Sequence, residues 1–401
     1  MRVRVIQPGS EVVGAPMTSP VLEAPTPRPP SGASGPWRPA VIVGAASAAG
    51  LLLPEAQATP STLYAPRGVF LDGARLVVSD TGNHRVLLFD GVPQTDRQSA
   101  DVVLGQPDAF TEGPQAGGAG PEAGMNLPTG VLVTDDGRLV VADAWNHRIL
   151  VWDDVPRAAR PPDIVLGQPD AASTEPNAGH GPDASVFYWP FGVAVVDGRF
   201  YVADTGNRRV LGWRDGVPDP GRPADLVLGQ PDAHSRQENR GTGVAADTFR
   251  WPHAMAGAGG GLLVADAGNH RVLGWRAHPD ADRPADVVLG QPDFLTADEF
   301  PYRPQTATGL RFPYAVHHGG HGLAVADTAN NRILLWDRDP RGSDAAPSFV
   351  LGQPTFSANG ENRWESVERD TLCWPYGIWQ HGDRIAIADS GNNRVVIWSR
   401  S

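Results

Sequence analysis

The sequence contains no lysine. Reactions that use a lysine amine, such as Schiff-base formation, and phosphate-binding loops built around a lysine are therefore excluded. Acidic residues exceed basic ones: the sequence has 33 arginines and 45 Asp and Glu residues, and its formal net charge is −12. General nucleic-acid binding needs a basic surface that displaces counterions. The composition argues against that function, although a local arginine patch stays open.

Cysteine and long apolar runs are scarce as well. Cys373 is the only cysteine, so no disulfide forms within the chain, and we expect a cytoplasmic protein. The apolar run at 41–53 is too short to span a bilayer, and no other run is long enough. Residues 38–58 nevertheless resemble a signal segment, because Arg38 precedes this run and Ala-Gln-Ala follows it. Export is therefore the alternative location.

Residues 1–37 differ in composition from the rest of the chain. Pro, Ala, Gly and Ser dominate this segment, with Pro25, Pro27, Pro29 and Pro30 closely spaced. Such a composition offers little apolar surface to bury. We therefore predict a mobile tail over 1–37 and a single folded domain over 38–401.

The folded part contains six copies of the pattern Asp-x-x-Asn-x-Arg, spaced 61 to 63 residues apart. The copies begin at Asp80, Asp143, Asp204, Asp266, Asp327 and Asp389. Each copy ends one apolar run and opens another, which predicts a strand, a tight turn and a second strand. An aromatic residue follows nine positions after each Asp. An aromatic at the same register in every copy is expected in the core.

Two further apolar segments complete each unit. Val-Leu-Gly-Gln-Pro follows each of the first five copies, at 103–107, 165–169, 227–231, 288–292 and 350–354. It predicts a buried strand stopped by proline. A second proline, such as Pro190, opens another short apolar run. Four strands in each of six units predict an all-β fold, a six-bladed β-propeller.

The sixth unit lacks its own Val-Leu-Gly-Gln-Pro segment, because the chain printed here ends at Ser401. Residues 41–44 precede Pro66 at nearly the spacing found in the other units. We therefore predict that 41–44 form the outer strand of the last blade and remove an exposed sheet edge.

The repeats carry a family resemblance. The segments 202–211 and 264–273, Val-Ala-Asp-Thr-Gly-Asn-Arg-Arg-Val-Leu and Val-Ala-Asp-Ala-Gly-Asn-His-Arg-Val-Leu, resemble NHL repeats, and the likeness extends from about 38 to 401. The resemblance implies a six-bladed propeller. It leaves function open, because similar propellers include protein-binding and RNA-binding modules, bacterial sensor and accessory proteins, and a peptide-amidating lyase.

In a propeller of this strand order, the six motif turns and the six long loops lie on one face, called the top face below. Loops of this length are candidates for binding. An arginine such as Arg209 has a planar fork of donors that suits a carboxylate or several carbonyls. Since all six copies keep this arginine, we interpret it as a residue that pins the loops.

Candidate binding residues are found where the copies differ. The residue after each blade-opening proline is expected to line the mouth of the central channel, and the six residues are Arg67, Thr129, Phe191, His253, Tyr314 and Tyr376. Four of them form an aromatic arc from Phe191 to Tyr376, and such side chains are favoured interface anchors. Packing of the loops is the alternative role. The five residues after each of these prolines include no carboxylate, serine or cysteine, so no nucleophile is evident at the mouth.

Histidine offers a catalytic alternative. His253, His317 and His381 belong to three consecutive units, and neutral imidazoles from neighbouring strands can bind zinc. The resemblance implies that amidating lyases place histidines directly after the blade-opening proline in three blades. Only His253 matches that pattern here, so two of the three ligands would be missing.

These observations favour a non-catalytic protein-binding scaffold or accessory protein without a cofactor, with Arg67, Phe191, His253, Tyr314 and Tyr376 in its binding surface. The family resemblance suggests a larger redox enzyme such as a hydrogenase as partner. The alternative is a metal-assisted lyase or hydrolase, similar to the amidating lyases, at the channel mouth, with zinc as the candidate metal.

Overall fold

The computed structural model describes residues 32–45, 57–299 and 305–401. Twenty-four strands lie in these ranges. They are β1 (Trp37–Gly44), β2 (Gly68–Leu71), β3 (Arg75–Asp80), β4 (Arg85–Asp90), β5 (Val102–Leu104), β6 (Pro128–Val133), β7 (Leu139–Asp143), β8 (Arg148–Trp152), β9 (Ile164–Leu166), β10 (Pro190–Val196), β11 (Arg199–Asp204), β12 (Arg209–Trp213), β13 (Leu226–Leu228), β14 (Pro252–Ala258), β15 (Gly261–Asp266), β16 (Arg271–Trp275), β17 (Val287–Leu289), β18 (Pro313–Gly319), β19 (Gly322–Asp327), β20 (Arg332–Trp336), β21 (Phe349–Leu351), β22 (Pro375–His381), β23 (Arg384–Asp389) and β24 (Arg394–Arg400).

The strands form six antiparallel sheets of four strands. Blade one is β2-β3-β4-β5, and blades two to five repeat this order with β6 to β9, β10 to β13, β14 to β17 and β18 to β21. The inner strand of each blade packs against the inner strands of its neighbours, as β14 does with β10 and β18. The predicted six-bladed β-propeller is confirmed.

Blade six joins the two ends of the chain. Its order is β22-β23-β24-β1, and β1 pairs with β24 from Trp37 opposite Arg400 to Gly44 opposite Arg394. The predicted closing strand is therefore confirmed, and it is longer than 41–44. Trp37, which the sequence analysis placed in the tail, is only 2% exposed and lies in the hydrophobic core of blades five and six.

The predicted tail over 1–37 lies outside the described residues up to residue 31. Residues Gly32–Ser34 form a 3-10 turn that packs against β21. Of the segment 38–58 that resembles a signal, residues 46–56 also lie outside the described residues. The location of the protein therefore stays a prediction.

Helical structure is limited to short turns in the described ranges. Besides Gly32–Ser34 these are Thr81–Asn83, Pro114–Gly118, Ala144–Asn146, Pro176–Gly179, Thr205–Asn207, Glu238–Gly241, Ala267–Asn269, Thr328–Asn330, Glu361–Trp364 and Ser390–Asn392. Six of them begin directly after the Asp of the repeated motif. None of the helices in this part of the chain has the length and apolar character needed to cross a membrane.

The repeated aromatic residue lies in the core, as predicted. Phe89, Trp152, Trp213, Trp275, Trp336 and Trp398 are each at most 4% exposed. In four blades the indole N–H donates to a carbonyl of the bottom loop, for example from Trp213 to Arg222 at 3.1 Å. In these four blades the ring therefore both fills the core and holds the bottom loop.

Candidate functional site

The Asp-x-x-Asn-x-Arg motif is a buried ion pair that holds the top loops. In blade three the Asp204 carboxylate accepts hydrogen bonds from Asn207 at 2.8 Å, from the Arg209 Nε at 2.7 Å and from the Tyr188 backbone N–H at 2.7 Å. The two terminal nitrogens of Arg209 donate to the carbonyls of Ala233, Asp183 and Val186. Burial raises the pKa of Asp204, and the charge of Arg209 opposes that shift.

The same ion pair occurs in all six blades. The Arg Nε to Asp Oδ2 distances lie between 2.7 and 3.0 Å, and no side chain in these pairs is more than 2% exposed. The glutamine of each Gly-Gln-Pro segment adds a second connection. In blade one, Gln106 donates to Asn83 O at 3.0 Å and to Gly113 O at 2.8 Å. These contacts support the interpretation that the repeated arginine pins the loops, so its role is structural.

The residue after the motif Asn connects a blade to the next at five of the six junctions. His147 Nδ1 accepts a hydrogen bond from the Trp189 backbone N–H at 3.0 Å, and Asn331 Oδ1 accepts one from Trp374 N–H at 2.8 Å. The residue that donates stands before the blade-opening proline and has φ near +50°, a conformation that is unfavourable for a side-chain-bearing residue. Five blade junctions have this hydrogen bond, at Ala65, Leu127, Trp189, Phe312 and Trp374.

The junction between blades three and four differs. Arg208 occupies the accepting position there, and a guanidinium cannot accept a hydrogen bond. Trp251, which stands before the proline of blade four, accordingly lacks the positive φ of its five counterparts. Its ring stacks on Phe312 with 6.2 Å between centroids. Because Arg208 interrupts the repeated hydrogen bond, the backbone at Trp251, two residues before His253, differs from that of the other blades.

These junctions predict a pH dependence. Burial lowers the pKa of His147 and of His270 to about 4, so both imidazoles are neutral acceptors at neutral pH. Since the folded-state values lie below the unfolded value of about 6.5, their stabilisation is complete above pH 6.5 and is lost as the pH falls towards 4. We expect the free energy of unfolding to fall in this window by about 1.4 kcal/mol per pH unit for each histidine.

The chain itself offers the control. Asn331 and Asn393 hold the same position in blades five and six and accept at any pH. The variant His147→Asn/His270→Asn should therefore lose less stability than the wild type between pH 6.5 and 4, measured by denaturant titration at each pH. If the free energy of unfolding fell equally with pH in the two proteins, these histidines would not be the cause of the acid sensitivity.

Five of the six residues after the blade-opening prolines line the channel, Thr129 being the exception, and three of their rings meet across it. Phe191 of blade three lies 6.5 Å from Tyr376 of blade six, between ring centroids, at an interplanar angle of 28°. Tyr314 stacks on Tyr376 at 4.6 Å and His253 contacts Phe191 at 4.3 Å. Blades three and six are opposite each other, so these rings narrow the channel mouth. Phe191 and His253 are buried, at 4% and 3% exposed.

The two remaining members of the ring differ in role. Arg67 of blade one lies over the Tyr376 ring, with its Cζ 4.8 Å from the centroid. Thr129 of blade two is buried, and its hydroxyl donates to the Phe191 carbonyl at 2.7 Å. Thr129 therefore joins neighbouring inner strands, whereas Arg67 lines the channel.

The histidines proposed as metal ligands are separated. His253 Nδ1 lies 2.9 Å from the Trp251 carbonyl, and burial lowers its pKa to about 3. His317 also lines the channel, where its ring lies 4.4 Å from that of Trp379 and burial lowers its pKa to about 3. His381 is exposed at the bottom end of β22, of which it is the last residue. Within the described ranges, no group of three or more His, Cys, Asp or Glu residues lies together to hold a metal ion.

The exposed apolar side chains lie on the top face. Of the residues that the structure describes, six large apolar ones are exposed: Tyr64, Phe110, Trp145, Leu295, Trp364 and Trp374. All six belong to long loops or motif turns of this face. Trp145 contacts Trp189 with 6.3 Å between ring centroids, and Trp189 in turn contacts Phe191. Ring contacts therefore connect the exposed Trp145 on the top face to Phe191 at the channel mouth.

Trp145 is a functional candidate that the sequence analysis missed. It stands two residues after the motif Asp, where the other five copies have Gly or Ala. At Gly206 an added Cβ would lie 2.6 Å from the Tyr188 ring, whereas blade two has Asn126 in place of Tyr188. Comparing the six copies at this register would have revealed the exception.

A family model for the NHL repeat matches residues 125–152 and 187–213, which include the motifs at Asp143 and Asp204. The chain contains NHL repeats and folds as a six-bladed β-propeller. Among curated protein sequences, none matches it.

Solved structures resemble the propeller in fold. A protein of unknown function from Bacteroides thetaiotaomicron is 12% identical, with a TM-score of 0.50, and the match covers 91% of this chain and 76% of that one. Virginiamycin B lyase from Staphylococcus aureus is 11% identical, with a TM-score of 0.44, and the match covers 86% of this chain and 98% of that one. At such identities the likeness concerns the fold alone.

Proposed function

We propose that this NHL-repeat propeller is a non-catalytic scaffold that binds a protein partner with its top face. The observation that carries the proposal is the location of all six exposed large apolar side chains of the described residues on that face. Isolated exposed apolar residues are ordinary, but their collection on one face is typical of an interaction surface. A protein partner fits because interfaces obtain most of their binding energy from a few Trp, Tyr and Arg side chains.

The centre of the proposed interface is the set formed by Trp145, Trp189 and Trp374. Trp145 is 52% exposed and contacts Trp189, which stands directly before Pro190. Trp374 is 37% exposed and stands directly before Pro375. A large, rigid ring with a polar N–H gives contact area at a small cost in conformational entropy. The Trp374 N–H already donates to Glu361 at 2.9 Å, which holds its ring in place.

The kind of partner is a finer proposal. The chain has a formal net charge of −12, so a partner with a cationic rim around an apolar patch would be attracted and oriented. A larger redox enzyme such as a hydrogenase is the partner that the family resemblance suggests, and it stays a prediction.

The double variant Trp145→Gly/Trp374→Ala tests this proposal. Each new residue already occurs at the same register in another blade, as Gly206 and as Ala65, so the fold should be kept. Loss of two hot-spot rings costs about 2 kcal/mol or more each, which is at least a thirtyfold loss of affinity per ring. Affinity would be measured by biolayer interferometry with the partner that co-purifies with the wild type.

The control variant is Phe110→Ala/Leu295→Ala. These residues are 69% and 74% exposed, but they follow the outer strands and lie far from the channel mouth. Their loss should change the affinity less than threefold. If the Phe110→Ala/Leu295→Ala variant lost the partner while the Trp145→Gly/Trp374→Ala variant still bound it, the interface would lie at the outer rim of the top face. Metal analysis of the purified protein tests the zinc-dependent alternative separately, since that enzyme would require bound metal.

A further inference from the structure

Arg67 is a cation without a counterion at the channel mouth. Its side chain is half-buried, and its guanidinium has no hydrogen bond or ion pair to any residue in the described ranges. The Nε atom is completely buried and has no acceptor. By contrast, Arg209 makes four hydrogen bonds from its own guanidinium. A partly buried charge without a partner is unfavourable, so a ligand that supplies acceptors to this guanidinium would gain binding energy there.

The cavity around Arg67 has no negative charge of its own. It has a volume of about 190 Å³, and no Asp or Glu is among the described residues that line it. The positive charge of Arg67 lowers the pKa of His253 and opposes the rise in that of Tyr314, so both groups lie within its field. Neither group carries a negative charge at neutral pH. The channel therefore has a formal charge of +1 within a chain whose formal net charge is −12.

The walls of the cavity are mainly apolar. The rings of Phe191, Tyr314 and Tyr376 lie within 30° of parallel to one another at the mouth. Deeper in the channel the lining consists of inner-strand residues such as Val69 and Val193. Besides Arg67, the polar side-chain groups of this lining include the two phenol hydroxyls and the imidazoles of His253, His317 and His318. A pocket with a few polar groups in an apolar lining is typical of a site for a small molecule.

We propose that the channel mouth binds a small monocarboxylate with a flat apolar body. The carboxylate would accept hydrogen bonds from the Arg67 fork, and the apolar body would lie against the rings of Tyr314 and Tyr376. A single planar anion matches a single guanidinium in charge and geometry. Phosphate would carry up to two charges, whereas the described lining of the cavity supplies a single guanidinium.

This ligand is separate from the protein partner. The monocarboxylate occupies the channel below the exposed tryptophans, so either proposal can fail while the other holds. A carboxylate could also belong to the side chain or the C-terminus of a bound protein. Titration with free benzoate, with no protein partner present, distinguishes these two sources.

The test is an isothermal titration of the purified wild-type protein with benzoate and with hexanoate. Benzamide, the neutral equivalent of benzoate, and inorganic phosphate serve as comparison probes. We expect saturable binding of at least one carboxylate and at least tenfold weaker binding of benzamide and of phosphate. Arg67→Met should weaken carboxylate binding at least tenfold, whereas Arg157→Met should leave it unchanged, because Arg157 is exposed on the bottom face.

Two further measurements keep the result interpretable. Arg67→Thr introduces the residue that blade two has at the same register, so it provides a second folded variant without the cation. Without ligand, both variants should melt at or above the wild-type temperature, since an unpaired charge is removed. The proposal is overturned if neither carboxylate binds saturably, if benzamide or phosphate binds as tightly as benzoate, or if the loss of Arg67 leaves the affinity unchanged.

Discussion

Deletion of residues 1–45 should destabilise the propeller by about 5 kcal/mol or more and cause it to associate. The deletion removes β1, which includes the buried side chains of Trp37, Ile42 and Val43, each worth roughly 1.5–3 kcal/mol. It also leaves the backbone groups of β24 that face β1 without partners along a stretch of seven paired positions, while the pairing with β23 remains. An exposed edge of that kind is a template for pairing with another chain. Calorimetry and light scattering would measure the two effects.

Deletion of residues 1–31 is the matched control. It keeps the 3-10 turn at Gly32–Ser34 and all of β1, so we expect little change in melting temperature. The single change Trp37→Ala should reproduce much of the larger effect, about 3–5 kcal/mol. If both deletions had the same stability, closure of blade six by β1 would be wrong, and the signal-segment interpretation of 38–58 would gain support.

Replacement of Arg209 by Ala should destabilise the protein by about 3–5 kcal/mol. The change leaves the carboxylate of Asp204 buried without its cation, and it leaves three loop carbonyls without their donor. This exceeds the cost of an ordinary surface substitution because both members of the ion pair are completely buried. Urea denaturation followed by tryptophan fluorescence would measure the difference.

Arg214→Ala provides the control for the Arg209 substitution within the same blade. Its side chain is 53% exposed and lies 4.0 Å from Asp280, so its loss should cost less than about 1 kcal/mol. Arg209→Ala should also keep its affinity for a partner when assayed below its unfolding transition. A stable Arg209 variant that loses only its partner would show that the arginine belongs to the binding surface.

The fold could be predicted because one physical requirement recurs six times. Each blade must bury its corresponding face and must pair the carboxylate of its motif Asp. Asn and Arg therefore follow Asp80 and each of its five counterparts at the same spacing. Such a period is visible in the sequence without any knowledge of distances. The closing strand was predicted for the same reason, but its start at Trp37 was missed because the preceding prolines resemble a tail.

The channel was predicted only in part. The register placed Phe191, His253, Tyr314 and Tyr376 around the mouth, and the structure brings their rings into contact. Contact between opposite blades depends on how closely the inner strands approach the axis, which no sequence period reveals. The missing counterion of Arg67 is likewise a three-dimensional property. The sequence has 45 Asp and Glu residues, but none of them is among the described residues that line its cavity.

The histidines show where spacing alone misleads. His253, His317 and His381 belong to consecutive inner strands, β14, β18 and β22, but they stand at different heights along them. His253 follows the opening proline, His317 lies in the middle of its strand and His381 ends its strand. Their side chains therefore do not converge as three ligands of one ion would have to.

Hydrogen exchange of the wild-type protein with and without its captured partner tests the central claim most directly. If the top face is the binding surface, the partner should slow exchange in the loops 105–127 and 352–374 and in the motif turn at Ala144–Asn146. The bottom loops 153–163 and 337–348 should exchange at unchanged rates. Protection confined to those bottom loops, with the top loops unaffected, would contradict the account.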